Sequence, residues 1–154
     1  MRSLDGRVAI VTGGARGIGR AYCLGLAREG AVIVVADLAD SSEVVEEIEA
    51  SGVSRATAVY VDVSDKASVD AMAHEAIERH GRIDVLVNNA GYMTGAAQLP
   101  FDELDVTEWD KPFQVNVRGS WLCASAVAAT MRQQNYGKII NISSMTVVDG
   151  TDAA

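Results

Sequence analysis

A glycine-rich turn beside an apolar segment is the part of this sequence best suited to bind an anion. It follows the apolar run Val8 to Val11, precedes a helix-forming run, and reads Thr12-Gly13-Gly14-Ala15-Arg16-Gly17-Ile18-Gly19. A strand, a turn and a helix N-terminus in this order bring free backbone N–H groups and the positive end of a helix dipole to one point, which favours phosphate. Gly13 suits a positive φ, Gly17 allows close approach of a pyrophosphate, and Gly19 lets the helix lie near the strand. A glycine turn without a ligand is the alternative.

A carboxylate at the end of the next apolar run supplies the second half of a nucleotide site. Asp37 directly follows the run Ala31 to Ala36. A carboxylate there accepts hydrogen bonds from both hydroxyls of an adenosine ribose whose pyrophosphate lies on the first helix. Its charge repels a 2′-phosphate and so favours NAD, whereas Arg16 in the turn could pair with that phosphate. We give Asp37 the greater weight because it occupies the ribose position, and we predict NAD, with NADP less favoured.

Composition excludes several other classes of protein. The 154 residues amount to one domain, and 49% hydrophobic with 22% charged residues is typical of a globular core. A net charge of −8 disfavours a nucleic-acid partner. Cys23 and Cys123 are far apart in helix-like segments, and His74 and His80 have no cysteines beside them, so we expect a reducing compartment and no metal site. Without an apolar signal core or a membrane-length run, we predict a cytoplasmic protein with no membrane partner.

Apolar strands alternating with amphipathic helices predict an α/β fold with a parallel sheet and right-handed crossovers. The second helix has Ser41 and Ser42 as its predicted cap. The predicted strands cover residues 7–12, 31–37, 56–63, 83–88 and 138–144, and the predicted helices cover residues 17–29, 43–50, 66–80 and 108–134.

The region after the fourth strand carries two further predictions. Residues 92–105 are expected to form a loop that faces the substrate, because ligands gather at the carboxyl ends of such strands, although a plain connector is an equal alternative. Residues 108–134 are expected to form one helix with Pro112 near its start. Its apolar band is wider than one sheet face needs and predicts packing on a second subunit; the band comprises Val115, Val117, Trp121, Leu122, Ala124, Ala128 and Met131.

With these features placed, the sequence resembles a classical short-chain dehydrogenase/reductase along its whole length. The matching motifs are the glycine turn, Asp37, Asp62-Val63, Asn88-Asn89-Ala90-Gly91, Asn116 and Asn141-Ile142-Ser143-Ser144. The resemblance implies a three-layer, doubly wound parallel sheet, the Rossmann fold. It also implies an NAD(P)-dependent oxidoreductase that transfers hydride between a nicotinamide and an alcohol or ketone. The cofactor contacts it implies are Gly13, Arg16, Gly17, Ile18, Gly19, Asp37, Asp62, Val63, Asn89, Ala90 and Gly91, with Asp62 and Val63 beside the adenine.

The resemblance assigns the active-site serine to Ser144 and the active-site asparagine to Asn116. In such enzymes the serine orients the carbonyl oxygen, the asparagine holds a proton-relay water, a tyrosine transfers the hydroxyl proton, and a lysine four residues later lowers the pKa of that tyrosine. Independently of the family, a hydroxyl at a strand end can stabilise the negative charge that a ketone oxygen gains during reduction. The alternatives are that Ser144 is a simple cap and that Asn116 bridges backbone groups. Asn116 and Gly119 both weaken a helix and predict a local bend.

The sequence departs from the family in one respect: it contains no Tyr-x-x-x-Lys motif. The expected position of that tyrosine lies beyond Ala154, and the sixth strand of a doubly wound sheet is also missing. We therefore interpret residues 1–154 as one dinucleotide-binding domain, incomplete at its C-terminus and inactive alone, from a full-length NAD-dependent enzyme. A non-catalytic dinucleotide-binding module, a sensor or scaffold, is the alternative. The resemblance further implies a small alcohol or ketone substrate and a homodimer or homotetramer.

Overall fold

Parallel strands alternate with helices along residues 2–92 and 100–144, the part of the chain that this computed structural model describes. A short 3₁₀ turn, Phe101–Glu103, precedes the fourth helix. The elements are β1 (Val8–Thr12), α1 (Gly17–Arg28), β2 (Val32–Asp37), α2 (Ser42–Ala50), β3 (Ala56–Tyr60), α3 (Lys66–His80), β4 (Val85–Asn88), α4 (Val106–Pro112), a π-helical segment (Phe113–Gly119), α5 (Ser120–Gln133) and β5 (Lys138–Asn141).

The five strands form one parallel sheet in the order β3-β2-β1-β4-β5. Helices cover both faces, which is why the inner strands are almost continuously apolar. Alternate side chains enter two separate clusters, one packed against α3 and α5 and the other against α1 and α2. The predicted doubly wound α/β architecture is confirmed. On the first face lie Ile10, Val34, Leu86, Met72 and Val127, and on the second lie Val11, Val35, Cys23, Val44 and Ile48.

Strands β3 and β5 are shorter than the sequence predicts because their neighbours end first. The last residue of β3, Tyr60, pairs with the last residue of β2, Asp37. Likewise Asn141 pairs with Asn88, which ends β4. Residues 61–63 and 142–144 therefore continue as loops at the carboxyl edge of the sheet, where they are available to a ligand site. The predicted loop 92–105 is described only at its two ends, and residues 145–149 lie outside the described residues.

The predicted cap of α2 is wrong in its detail. Ser41 makes no side-chain cap, and its hydroxyl donates instead to the carbonyl of Ala39. The carboxylate of Asp40 accepts the N–H of Ser42 at 3.0 Å. Asp40, just before the helix, therefore provides the side-chain cap that was expected from a serine. At the start of α3 the carboxylate of Asp65 accepts the N–H groups of Ala67 and Ser68 and so caps that helix.

The single helix predicted over residues 108–134 is divided. α4 begins two residues earlier, at Val106, with the carboxylate of Asp105 accepting the N–H of Glu108 at 2.9 Å. Pro112, which was expected near the start, instead ends α4, because a proline cannot donate the next backbone hydrogen bond. The wider π-helical segment follows and contains both Asn116 and Gly119, so the helix is irregular at the position where the sequence predicts a bend.

Both cysteines are buried side chains of the core. Burial raises the pKa of the Cys23 thiol and of the Cys123 thiol to about 12, so neither thiol is reactive near neutral pH. Among the described residues, no helix has the length and apolar character needed to cross a membrane. A cytoplasmic location stays a prediction from the sequence.

A buried carboxylate joins separate segments at the amino end of the sheet. Asp84 is completely buried and accepts the N–H of Val8 at 2.9 Å. The same carboxylate accepts one bond from Arg7 at 2.8 Å and two from Arg82 at 2.7 Å. Burial by itself would raise the pKa of Asp84, but the bonds from Arg82, Val8 and Arg7 outweigh it and hold that pKa below its ordinary value. The charged form of Asp84 therefore stabilises the fold.

We predict that Asp84→Asn lowers the free energy of unfolding at pH 7 by about 2 to 4 kcal/mol, because charge-assisted bonds are lost inside the protein. Since the folded-state pKa is depressed, the stabilisation is complete above about pH 4 and is lost as the pH falls through the folded-state pKa. Urea unfolding of the full-length protein measures the free energy of unfolding. The difference in this free energy between Asp84→Asn and wild type should become smaller at acidic pH. The exposed control Asp70→Asn should change stability by less than about 0.5 kcal/mol. An Asp84→Asn protein of wild-type stability at pH 7 would contradict this role.

Candidate nucleotide-binding site

A cleft of about 450 Å³ opens at the carboxyl edge of the sheet, where the strand order reverses on either side of β1. In open parallel sheets this position is the usual site for a ligand. Ten of the eleven predicted cofactor residues line the cleft, Gly17 being the exception. The lining residues are Gly13, Arg16, Ile18, Gly19, Asp37, Leu38, Ala39, Val61, Asp62, Val63, Asn89, Ala90, Gly91, Tyr92 and Val115.

The glycine turn has the geometry of an anion receptor. Gly13 and Gly17 have φ angles of +67° and +56°, which favour glycine. A Cβ on Gly17 would meet nothing within 4 Å, whereas a Cβ on Gly19 would lie 1.9 Å from the carbonyl oxygen of Gly13. Gly17 is thus needed for its conformation and Gly19 for close packing of α1 on the turn. The N-cap residue, Arg16, provides no side-chain cap, so the first amides of α1 remain available to a phosphate.

Asp37 is fixed to the glycine turn. One carboxylate oxygen accepts the N–H of Ala15 at 2.9 Å and the other accepts the N–H of Ala39 at 3.0 Å. A carboxylate has about four acceptor positions, so each oxygen retains capacity for a further donor such as a sugar hydroxyl. The bond to Ala15 holds the end of β2 at a constant distance from the turn after β1. Arg16 is exposed and makes no ion pair with any described residue.

Thr12 and Asn89 connect the glycine turn to the loop after β4 (residues 89–92). The Thr12 hydroxyl accepts the N–H groups of Asn89 and Ala90, both at 3.1 Å. In return, the side-chain amide of Asn89 donates to the carbonyls of Thr12 at 3.0 Å and Gly13 at 3.1 Å. The amide nitrogen of Asn89 therefore supports the turn. Thr12 is not among the predicted site residues, although it is the first residue of the glycine motif. It is a buried polar residue beside that motif, and this position marks it as a structural support.

The loop after β3 (residues 61–64) forms the opposite wall. One carboxylate oxygen of Asp62 accepts the N–H and the hydroxyl of Ser64, at 2.8 and 2.7 Å. Its other oxygen has no hydrogen-bond partner within the described part of the chain, so it can accept from an amino group. Val63 is buried and Leu38 is 60% exposed, and both line the cleft. This wall therefore offers the second carboxylate oxygen of Asp62 as an acceptor beside apolar side chains. That combination suits a flat nucleotide base that carries an amino group. Five lining residues are absent from the sequence prediction. Leu38, Ala39, Val61 and Tyr92 lie within two positions of predicted residues, whereas Val115 comes from the π-helical segment.

Neither predicted catalytic residue lines the cleft. Asn116 lies in the π-helical segment, where its side-chain oxygen accepts the N–H of Tyr92 at 2.7 Å and its amide donates to the carbonyl of Tyr92 at 3.1 Å. The side chain thus bridges backbone groups, as the alternative interpretation expected. Ser144 is exposed and follows the end of β5 by three residues. It lies at the same carboxyl edge of the sheet as the cleft, since β5 is parallel to β4.

Comparisons with known proteins give the family. The short chain dehydrogenase model matches residues 7–153. Sorbitol dehydrogenase of Cereibacter sphaeroides is 40% identical over 142 residues, which cover 92% of this chain and 54% of that enzyme. The 3-oxoacyl-(acyl-carrier-protein) reductase of Synechocystis sp. is 39% identical over 154 residues, covering 97% of this chain and 60% of the reductase. The crystal structure of gox2181 has a TM-score of 0.90 at 34% identity and covers 97% of this chain and 58% of that one.

These matches extend over nearly all of this chain, although the chain spans less than two thirds of the length of each relative. The family match also includes the glycine turn and the two loops that line the cleft. The chain therefore belongs to the short chain dehydrogenase family.

Proposed function

We propose that the protein is an NAD-dependent oxidoreductase that transfers hydride between C4 of the nicotinamide and a small alcohol or ketone. The observation that carries the proposal is the carboxylate of Asp37, held beside the glycine turn with acceptor capacity to spare. The family supports the reaction class, since the relatives are named as dehydrogenases and reductases. A non-catalytic dinucleotide-binding module is the second candidate, because the same glycine turn and Asp37 would bind the cofactor without a reaction.

The residues of the cleft fit a dinucleotide from one end to the other. The uncapped amides at the start of α1 suit the pyrophosphate, and Asp37 suits the hydroxyls of the adenosine ribose. The free oxygen of Asp62 and the apolar Val63 suit the adenine, and Gly91 and Tyr92 also line the cleft. When bound, NAD accepts or supplies the hydride.

On this proposal Ser144 is the catalytic hydroxyl of the chain. A carbonyl oxygen that gains negative charge is stabilised by a donor already in position, because no solvent must reorganise during the reaction. The Ser144 hydroxyl donates that hydrogen bond from the carboxyl edge of the sheet. Asn116 acts through its two bonds to Tyr92 and is therefore a positioning residue for the loop after β4.

We predict that Asp37→Ala reduces the ratio of kcat/KM for NAD to kcat/KM for NADP by about 10- to 100-fold, because removing the carboxylate removes its repulsion of the 2′-phosphate. Steady-state kinetics of the full-length protein with both cofactors measure the ratio. Asp40→Asn is the matched control, since Asp40 is an exposed acid nearby that caps α2 and does not line the cleft. An unchanged ratio in Asp37→Ala would mean that Asp37 does not contact the ribose.

We predict that Ser144→Ala lowers kcat about 100-fold while the Kd for NADH stays within about twofold, because the charge-stabilising donor is lost at a residue that does not line the cofactor cleft. Ser51→Ala, at the end of α2 and outside the cleft, is the control and should be unaffected. Turnover is measured with a panel of secondary alcohols and the matching ketones. If the wild-type full-length protein binds NADH but turns over none of them, the non-catalytic module is favoured over the enzyme.

We also propose that the protein associates with further copies of itself through an apolar stripe on α4, the π-helical segment and α5. The stripe consists of Trp109, Phe113, Val117 and Trp121, spaced four residues apart and each 52% to 64% exposed. Its Trp109 and Phe113 rings lie 5.6 Å apart. A contiguous apolar patch of this kind on a charged protein is typical of a protein interface, and a self-complementary helix face suits a two-fold axis.

We predict that the full-length protein is a dimer or tetramer at micromolar concentration and that Trp121→Glu shifts it toward the monomer, because a charge would be buried at the contact. Light scattering during size-exclusion chromatography gives the mass. Gln133→Glu adds the same charge at an exposed position of α5 outside the stripe and should leave the mass unchanged. A wild-type monomer would refute this part of the proposal.

A further inference from the structure

The π-helical segment reaches both walls of the cleft. On one side the side chain of Asn116 makes two hydrogen bonds to the backbone of Tyr92, which belongs to the loop after β4. On the other side Arg118 and Gly119 meet the loop after β3, at Ser64 and at Val63 respectively. The two loops face each other across the cleft and come from strands that do not pair with each other. This one segment therefore links them through side-chain and backbone contacts.

Gly119 packs against Val63 with no room for a side chain. It is buried, and a Cβ placed on it would lie 2.9 Å from the Cγ2 atom of Val63 and 3.1 Å from the carbonyl oxygen of Val63. Val63 is itself buried and cannot simply turn away. Any side chain at position 119 would therefore push the π-helical segment and the loop after β3 apart. By contrast, a Cβ on Gly25 in α1 would meet nothing within 4 Å.

Arg118 adds a polar contact at the same junction. Its guanidinium donates to the carbonyl of Ser64 at 2.6 Å. Ser64 in turn donates both its N–H and its hydroxyl to the carboxylate of Asp62, which lines the cleft. The position of the π-helical segment is thus connected, through two consecutive bonds, to the one acidic side chain on that wall.

We propose that Gly119 and Arg118 are positioning residues that set the width of the cofactor cleft. They hold the π-helical segment against the loop after β3, and Asn116 on the same segment then holds the loop after β4 at a fixed separation. A π-helical segment suits this role, because its wider coil directs neighbouring residues toward two different partners. The cofactor part of this inference rests on the proposed function, whereas the coupling between the two loops does not.

The coupling is tested in the full-length protein without any ligand. The N–H of Tyr92 is protected by Asn116, so its hydrogen exchange reports on the far wall. Gly119→Ala and Arg118→Ala should each speed exchange of the Tyr92 amide about three- to tenfold, the effect expected when one hydrogen bond weakens. Gly25→Ala and Arg28→Ala, at exposed positions of α1, are the matched controls and should leave it unchanged. Arg118→Lys keeps a donor and should recover part of the protection. Mass spectrometry with fragmentation that resolves single amides measures these rates.

The cofactor part is tested by fluorescence titration of the same variants with NADH. Gly119→Ala and Arg118→Ala should raise the Kd about threefold or more, the loss expected when one hydrogen-bonded wall shifts, and the controls should not. If either variant loses thermal stability while the Tyr92 exchange rate and the NADH Kd stay at wild-type values, Gly119 and Arg118 are structural only and the inference is overturned. If Gly119→Ala does not fold, Arg118→Ala with its lysine rescue decides the question alone. If Tyr92 exchange rises as expected but the wild-type protein binds no NADH, the coupling stands and the proposed function fails.

Discussion

The carboxylate of Asp37 holds the end of β2 against the turn that follows β1, and the cleft depends on that bond. Because Ala15 donates to Asp37 at 2.9 Å, the amides at the start of α1 and the acid are kept at one separation. On the proposed function, the amides would bind the pyrophosphate and Asp37 the ribose hydroxyls, so this fixed separation would favour a ligand that carries both groups at the matching spacing. Because the hydrogen bonds that fix this separation lie within the chain, little of the binding free energy would be spent on ordering the site.

The walls of the cleft are supported in the same way, by backbone groups that side chains bind. Thr12 and Asn89 exchange four hydrogen bonds with the backbone of the glycine turn and of the loop after β4. Asn116 adds two more at Tyr92. These side chains are the polar residues of the family motifs, and most of their capacity is used inside the protein. Among the described residues that line the cleft, the carboxylates of Asp37 and Asp62 and the first amides of α1 retain capacity for a ligand.

The layout of strands and helices could be predicted because the apolar periodicity and the glycine punctuation are local properties of the sequence. The glycine turn and Asp37 are local features as well, whereas the residues of the loops after β3 and β4 were expected from the family resemblance. Ten of these residues line one cleft, and their contact with a cofactor stays a prediction. The division of the helix over residues 106–133 could not be predicted in full, since a π-helical segment arises from contacts with Val63, Ser64 and Tyr92 that are distant in sequence. Val115 lies in the same segment, so its place in the lining of the cleft could not be predicted either. The cap of α2 was missed because Asp40 and Ser41 are both good cap residues, and only the folded geometry decides between them.

The position of β1 at the centre of the sheet has a consequence for how the protein is made. During synthesis on a ribosome, β1, β2 and β3 emerge in succession and can pair with each other at once. The other edge of β1 pairs with β4, and the N–H of Val8 bonds to Asp84, which is synthesised 76 positions later. Until then the nascent sheet presents a bare apolar edge, the kind of surface to which another strand readily adds. Chaperone capture during translation would therefore be most useful in the interval between synthesis of β3 and release of β4.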